Sequence, residues 1–305
     1  MQIKIKSTLL LIFSVILFSG VTFAQEGWSV STGLQYSGGN YYYNNYSRLF
    51  SFYGGLRYQS EYFSVNITAP IIFSNNNTLS QSGGMMLPIG GNSSNNNNMM
   101  GSNSSGNNSG GMMGNTGSDG MMDSNGSNSN PYMFGSSSSM NSSIGLGDIF
   151  LTGNYQFHSN YENSFTALIN YQIKFPTANS ITNIGTGKFD FGVSVTLRKG
   201  FDSYLAIADL GYLNIGDPSG ITYNNPFTYG VGFGKYFNDG NSSLLLYYQG
   251  YTEIVSGYAA PQQLSLGLNH QLSSKLTLTL IGGVGLTKFS PALLASAGVT
   301  WRIGE

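Results

Sequence analysis

The chain has 305 residues, of which only 8% are charged, and its 12 Lys+Arg against 13 Asp+Glu give a formal net charge of −1. This balance excludes the strongly basic surface that a nucleic-acid partner needs, and the absence of cysteine excludes a disulfide framework and thiolate chemistry. A soluble domain normally carries about a quarter charged residues. Because Gly, Ser, Asn, Thr and Tyr replace them here, the composition favours a protein partly surrounded by lipid.

The first 24 residues have the three parts of a secretory signal peptide. Lys4 and Lys6 give a positive start, Leu9 to Phe18 form a short apolar run, and a small residue, Ala24, ends the segment. The apolar run is too short to span a bilayer as a helix, and no later stretch reaches the roughly 20 apolar residues that a spanning helix needs. We therefore predict that residues 1–24 are removed on export and that the mature chain starts near Gln25.

Apolar and polar residues alternate along twelve later stretches of the chain. From Phe165 to Phe175, for example, every second residue is apolar or aromatic, which is the period of a strand with one oily and one polar face. Short and long connections alternate strictly, so both ends and all short turns are placed at one side. The predicted strands are 27–36, 48–58, 62–73, 146–157, 164–175, 188–198, 204–214, 227–237, 243–254, 262–272, 276–286 and 292–303.

This pattern predicts an all-β fold, a transmembrane antiparallel up-and-down β-barrel over residues 25–305. Tight turns on one side, long loops on the other and strands of about ten residues are the plan of an outer-membrane barrel. Aromatic residues near strand ends, such as Trp28, Phe157 and Trp301, fit its two interfacial girdles. A soluble β-sandwich is the alternative, but its polar face would carry Lys and Glu, whereas here that face is mostly Gly, Ser, Thr, Asn and Gln.

Four segments follow one another in a recognisable order: VNITAPIIF (65–73), GLGDIFLTGNYQF (145–157), IKFPTANS (173–180) and IGTGKFDFGVSVTLRKGF (184–201). With its GxGD strand start, PTG-type turn and GTG-x-x-D segment, the chain from Val65 to the C-terminus resembles the outer-membrane family named after the MetA pathway of phenol degradation. Ala178 stands in place of the turn glycine, and the chain ends four residues after Trp301 instead of on an aromatic residue. The resemblance implies a channel or transporter for small, often apolar or aromatic compounds, and it gives no reason to expect catalysis.

Strand pairing predicts a group of charges near the loop side of the barrel. If the hairpin between the fourth and fifth strands turns at 158–163, Phe157 faces Phe165 and Asp148 lies opposite Lys174. The next hairpin brings Lys174 beside Asp190, so three charges from neighbouring strands would meet on the inward face. Such a group can stiffen the wall as an ion cluster, or it can form a constriction that contacts the solute. The same parity predicts further charges in the lumen: Arg57, Arg198, Asp209, Glu253 and Arg302.

The segment 74–145 is rich in Met, Asn, Gly and Ser, and we predict a disordered external loop within the barrel because it has little apolar surface to bury. Thioethers are soft ligands that suit Cu(I) or Ag(I). The candidate metal ligands are four doublets: Met85, Met86, Met99, Met100, Met112, Met113, Met121 and Met122. A low-complexity insert without a ligand, a sticky surface contact and an oxidant sink are the alternatives.

The histidines give no support for an enzyme. His158 lies in a predicted short turn, and His270 has outward parity, which favours lipid headgroups over a Ser partner. No phosphate-binding loop, dinucleotide fingerprint or paired metal-binding His motif appears, and no cofactor is expected. The sequence therefore predicts a non-enzymatic channel in the bacterial outer membrane that passes small solutes, apolar or aromatic ones among them. The alternative is a barrel anchor that displays the Met-rich loop for a soft metal ion or for surface binding.

Overall fold

The computed structural model describes residues 26–42, 45–75, 79–82, 85–89, 143–178, 184–218 and 220–304. The predicted signal peptide and most of the predicted Met-rich loop lie outside these residues. Every element except one 3-10 turn at Asn238–Gly240 is a strand. No helix among the described residues has the length and hydropathy that a membrane-crossing helix requires.

The strands are β1 Gly27–Gly39, β2 Ser47–Gln59, β3 Phe63–Ser74, β4 Leu79–Ser82, β5 Met85–Pro88, β6 Ser143–Leu146, β7 Ile149–Asn160, β8 Phe165–Phe175, β9 Asp190–Phe201, β10 Tyr204–Asn214, β11 Phe227–Phe237, β12 Ser242–Tyr251, β13 Gln262–Ser273, β14 Leu276–Gly285 and β15 Leu293–Ile303. Antiparallel pairing joins all of them except β4 and β5 into one closed sheet, because β1 pairs with β15 as well as β2, and β3 pairs with β2 and β7. The short strand β6 and the longer β7 both pair with β3 and together form one wall strand, so the wall has the predicted twelve.

The two ends of the barrel differ in their connections. The turn end has the short links 60–62, 161–164, 202–203, 238–241 and 274–275. The loop end has the long links 40–46, 75–142, 176–189, 215–226, 252–261 and 286–292. The described chain begins and finishes at the turn end, as the alternation of connections predicted.

The outward face of the wall is apolar and the inward face is mostly polar. In β1, Trp28 and Leu34 are 49% and 48% exposed, while Gln35 between the outward residues is 0% exposed. Inward polar residues on other strands, such as Ser51 and Thr152, are also buried. An apolar belt outside a closed sheet is stable only in lipid, where closure leaves no unpaired edge. The alternative of a soluble β-sandwich is therefore wrong.

The predicted register between β7 and β8 was wrong, and the predicted register between β8 and β9 is confirmed. Asn160, not Phe157, pairs with Phe165, because β7 runs on to Asn160 and a bulge lies between Gln156 and His158. As a result Phe150, not Asp148, lies opposite Lys174. The shift is two residues at this level, so inward residues remain inward. Lys174 does pair with Asp190, as predicted.

Glycines let tyrosines lie flat along the inner wall. A Cβ at Gly230 would overlap the hydroxyl of Tyr247, which comes from the neighbouring strand β12. Tyr53 of β2 similarly covers Gly33 of β1 and Gly298 of β15. The high glycine content therefore has a packing role, since the aromatic ring occupies the space that a side chain on the facing strand would need.

The Met-rich connection begins with a buried hairpin inside the barrel. Strands β4 and β5 pair with each other, and all eight of their residues are buried. The prediction of a disordered external loop over 74–145 is therefore wrong for 79–82 and 85–88, because Leu79, Met85, Met86 and Leu87 supply apolar surface that the lumen buries. It is also wrong for Ser74 and for 143–145, which belong to β3 and β6. Residues 90–142 lie outside the described residues.

Candidate functional site

Asp148, Lys174 and Asp190 form an ion cluster inside the wall near the loop end. Lys174 Nζ lies 2.6 Å from Asp190 Oδ2 and 3.8 Å from Asp148 Oδ2. Lys174 and Asp190 are 0% exposed and Asp148 is 5% exposed. The structure thus brings together the three charges that the sequence placed near one another. Burial makes their mutual pairing necessary, since an unpaired charge in such a site is costly.

The remaining polar atoms of the ion cluster bind the loops. Asp148 Oδ1 accepts a hydrogen bond from the backbone N–H of Ala178 at 2.9 Å, and Lys174 Nζ donates to Thr186 Oγ1 at 3.0 Å. Asp190 Oδ1 accepts from the backbone N–H of Gly216 at 3.0 Å. Three neighbouring strands are in this way tied to the loops 176–189 and 215–226. These contacts favour the structural interpretation of the cluster over direct contact with solute.

The ion cluster also holds the buried hairpin. Ser82 Oγ, on β4, donates a hydrogen bond to Asp190 Oδ2 at 2.5 Å. At the other end of the hairpin, Tyr223 OH of the loop 215–226 donates to the backbone carbonyl of Pro88 at 2.5 Å. The hairpin is therefore fixed at both ends by side chains of the barrel and its loops.

An apolar cluster, which we name the plug, fills the loop end of the lumen. It joins the hairpin to inward residues of the wall and to residues of five other loops. Its buried members are Tyr41, Tyr42, Leu49, Ile72, Leu79, Met85, Met86, Leu87, Ile184, Leu213, Ile215, Tyr223, Tyr251, Ile254, Val255, Tyr258, Ile281 and Leu294. The rings of Tyr42, Tyr258 and Phe289 pack with centroids 5.0 to 5.3 Å apart. The plug thus separates the loop end from the polar lumen below it.

The loop tyrosines of the plug are held neutral. Burial raises the pKa of Tyr41 and of Tyr42 well above the ordinary phenol value, because an apolar site disfavours the phenolate. The hydroxyl of Tyr41 is satisfied by Ser37 Oγ at 2.5 Å. These two side chains therefore add no charge to the plug at any physiological pH.

A second polar group lies inside the barrel toward the turn end. Asp209 of β10 accepts hydrogen bonds from Tyr247 OH at 2.9 Å and from Thr196 Oγ1. Arg198 of β9 is 7% exposed and lies close enough to Asp209 for their charges to attract. Arg57 of β2 donates from Nη2 to Gln59 Oε1 at 2.6 Å. Arg57, Arg198 and Asp209 are inside the lumen as the parity predicted.

Two further sequence expectations were wrong. Glu253 does not face the lumen, because β12 ends at Tyr251 and Glu253 is exposed in the loop, where it accepts the N–H of Gly257 at 2.8 Å. His270 does have a serine partner: its Nδ1 is 2.9 Å from Ser242 Oγ, since the two residues are directly paired on β13 and β12. Among the described residues, no carboxylate contacts this His.

Met85 and Met86 are packed inside the plug, so the expectation that they stand exposed in a disordered loop is wrong. Methionine is flexible and fills irregular apolar gaps, which is the role the contacts of these two residues support. The other proposed ligands, Met99, Met100, Met112, Met113, Met121 and Met122, lie outside the described residues. Soft-metal binding by the Met-rich segment remains a prediction. The described residues also contain no cluster of three His, Cys, Asp or Glu that could hold a metal ion.

Sequence reasoning missed the hairpin and its Ser82 contact. A signal was present, because LSQS and MMLP flank the pair Gly83-Gly84, and a two-residue Gly-Gly link between short runs is a hairpin signal. The low-complexity composition that follows outweighed it.

Solved structures share this architecture. The COG4313 outer membrane channel from Pseudomonas putida F1 superposes with a TM-score of 0.56 at 11% identity, over 93% of this chain and 98% of that one. This chain is an outer-membrane β-barrel. Its outward apolar belt is the surface that a barrel of this type turns to membrane lipid. At such identity the likeness concerns the fold alone.

Two further barrels are similar at lower scores. The KdgM porin, solved with disordered oligogalacturonate, gives a TM-score of 0.48 at 6% identity over 90% of this chain and 99% of that one. The CymD monoaromatic hydrocarbon channel gives 0.43 at 11% identity over 92% and 90%. The sequence matches no family model and no curated protein, so the resemblance to the MetA-pathway family stays a prediction.

Proposed function

We propose that this barrel is an outer-membrane channel that passes small solutes through its lumen and prefers apolar and aromatic ones. The observation that carries the proposal is the plug. The lumen is closed at the loop end by apolar and aromatic side chains. Any solute that enters from that end therefore contacts an apolar surface.

The plug discriminates between solutes by the cost of leaving water. An apolar solute gains roughly 0.8 kcal/mol for each CH₂ group that it moves from water into an apolar site. An amide or hydroxyl without a partner loses about 1–3 kcal/mol in the same step. The side chains of the plug that touch a passing solute therefore favour aromatic or aliphatic bodies over sugars and ions.

Passage requires the hairpin β4–β5 to leave its place, because its side chains occupy the lumen. Two hydrogen bonds hold it, from Ser82 to Asp190 and from Tyr223 to Pro88. The wall around it is fixed by continuous strand pairing and by the ion cluster. On this proposal the hairpin and loops rearrange while the wall stays intact, and the ion cluster acts as their anchor.

The test is entry of two probes into cells of a porin-deficient host that produce the full chain. The apolar dye N-phenyl-1-naphthylamine fluoresces when it passes the outer membrane, and raffinose is a polar sugar that can be followed by radioactivity. We expect dye entry to rise several-fold over cells with an empty vector while raffinose entry stays at background. Faster raffinose entry with unchanged dye entry would reverse the proposed preference, and no change in either probe would contradict the channel itself.

A further inference from the structure

Two arginines from separate parts of the wall point into the lumen near the turn end. Arg57 is two residues from the end of β2, and Arg198 is three residues from the end of β9. β3, β7 and β8 lie between these strands on the wall. Both nevertheless lie within three residues of the turn end of their strands, so both side chains reach into the lumen toward that end.

The wall offers these two cations little negative charge. Among the described strand residues, only Asp190 and Asp209 are carboxylates, and Asp190 belongs to the ion cluster near the loop end. Asp209 attracts Arg198, but both of its oxygens already accept hydrogen bonds from Thr196 and Tyr247. Among the described strand residues, one carboxylate toward the turn end is therefore set against two guanidinium groups.

The guanidinium group of Arg57 does not use all of its hydrogen-bond donors. Its Nη2 donates to the neutral amide oxygen of Gln59, and its Nε has no hydrogen-bond partner among the described residues although it is buried. A guanidinium presents its donors as a rigid fork that matches a carboxylate. A buried cation with an unused donor is costly unless an anion approaches it.

We propose that Arg57 and Arg198 form a binding site for the carboxylate of a solute that also has an apolar or aromatic body. This inference rests on the proposed channel function and specifies its solute class. The plug accepts the apolar body near the loop end, and the arginine pair receives the anionic head farther along the lumen. A solute that enters from the loop end therefore contacts the apolar plug first and the two arginines second.

The experiment compares two matched probes, 4-(trifluoromethyl)benzoate and 4-(trifluoromethyl)benzamide, by fluorine NMR titration of the detergent-solubilised full chain, with protein-free micelles as the blank. We expect the carboxylate to bind at least about tenfold more tightly than the amide, and Arg57→Gln and Arg198→Gln each to remove most of that difference. Arg57→Lys should retain part of it, since the charge remains but the fork is lost. Arg48→Gln, on an exposed arginine of the same strand near the loop end, should leave it unchanged.

The outcomes separate the site from the channel. Equal binding of the two probes to the wild type would overturn the anion site. So would a carboxylate preference that survives in both glutamine variants, provided that these variants still migrate as folded barrels. If the amide still binds and the dye still enters cells, the proposed channel function is retained without the anion site. Should neither probe bind and the dye fail to enter cells, the proposed function fails and the site with it. Arg57→Lys tests the site even if a glutamine variant does not fold.

Discussion

Lys174 is the one cation between two buried carboxylates, so the loop end of the wall depends on a single side chain. Its Nζ contacts Asp190, Asp148 and Thr186, and the two carboxylates in turn hold backbone groups of two loops. Removing one partner of a buried ion pair leaves uncompensated charge, which typically costs about 3–5 kcal/mol.

We therefore expect Lys174→Met to lower the free energy of unfolding by about 3–5 kcal/mol, measured from urea titrations of the barrel in detergent. The control is Lys275→Met, which changes an exposed lysine in a short turn and should have little effect. Equal stability of the two variants would show that the ion cluster is not an anchor.

A glycine of the inner wall gives a second test of side-chain packing. Gly230→Ala places a methyl group against the hydroxyl of Tyr247 and disturbs its bond to Asp209. Overpacking of this kind typically costs about 1–3 kcal/mol, and heat-dependent migration in SDS gels should report a lower transition temperature. Gly282→Ala, on an outward strand glycine with open space around it, is the matched control and should leave the transition in place.

For single residues, the sequence predicted which charged side chains lie together but not which other groups surround them. Parity alone placed Lys174, Asp148 and Asp190 on one face, because the side-chain period of a strand is fixed. It could not predict the contacts of Ser82, Gly216 and Thr186, which come from connections with no periodicity. A two-residue slip in the β7–β8 register also escaped it, because a bulge leaves no clear mark in the sequence.

The buried hairpin β4–β5 is the element that decides whether the lumen is open. Leu87 is 0% exposed in the plug, and a carboxylate at this position would have no partner there. Leu87→Asp should therefore drive the hairpin out of the lumen while the wall strands remain paired.

The chain has no cysteine, so a single Met86→Cys variant can report on the hairpin. We expect a water-soluble maleimide to label this cysteine slowly, and at least about tenfold faster when Leu87→Asp is added, as for a cost of 1.4 kcal/mol or more. Adding Leu87→Met should leave the rate slow because it keeps the apolar volume. Fast labelling in the Met86→Cys variant alone would mean that the hairpin is not buried.

Elements of the wall were predictable from sequence, and the hairpin was not. Alternation over ten residues identifies a strand because one face must be apolar and the other polar, and all twelve wall strands were found in this way. β4 and β5 are buried on all sides and only four residues long, so they show no alternation. The break between β6 and β7 had a visible cause in Pro70, which has no N–H for the ladder and whose carbonyl accepts the N–H of Gly147 at 2.9 Å.

The two ends of the barrel differ in the side chains that fill or line the lumen. The loop end is filled by the plug, and the lumen toward the turn end carries Arg57, Arg198 and Asp209. The barrel outline followed from the sequence because lipid outside and side chains inside impose one pattern on every strand. The plug did not, because it gathers one to four residues from each of six loops, and these residues meet only once the wall is closed.

Ion conductance in planar bilayers, measured before and after removal of the hairpin, shows whether the hairpin closes the lumen. Residues 76–142 would be replaced by Gly-Ser-Gly, which leaves a short link between the paired residues Ser74 and Ser143. The full chain should show little or no steady ion current because the plug excludes hydrated ions, and the shortened chain should show stable open steps. A full chain that conducts as well as the shortened one would contradict a lumen closed by the hairpin.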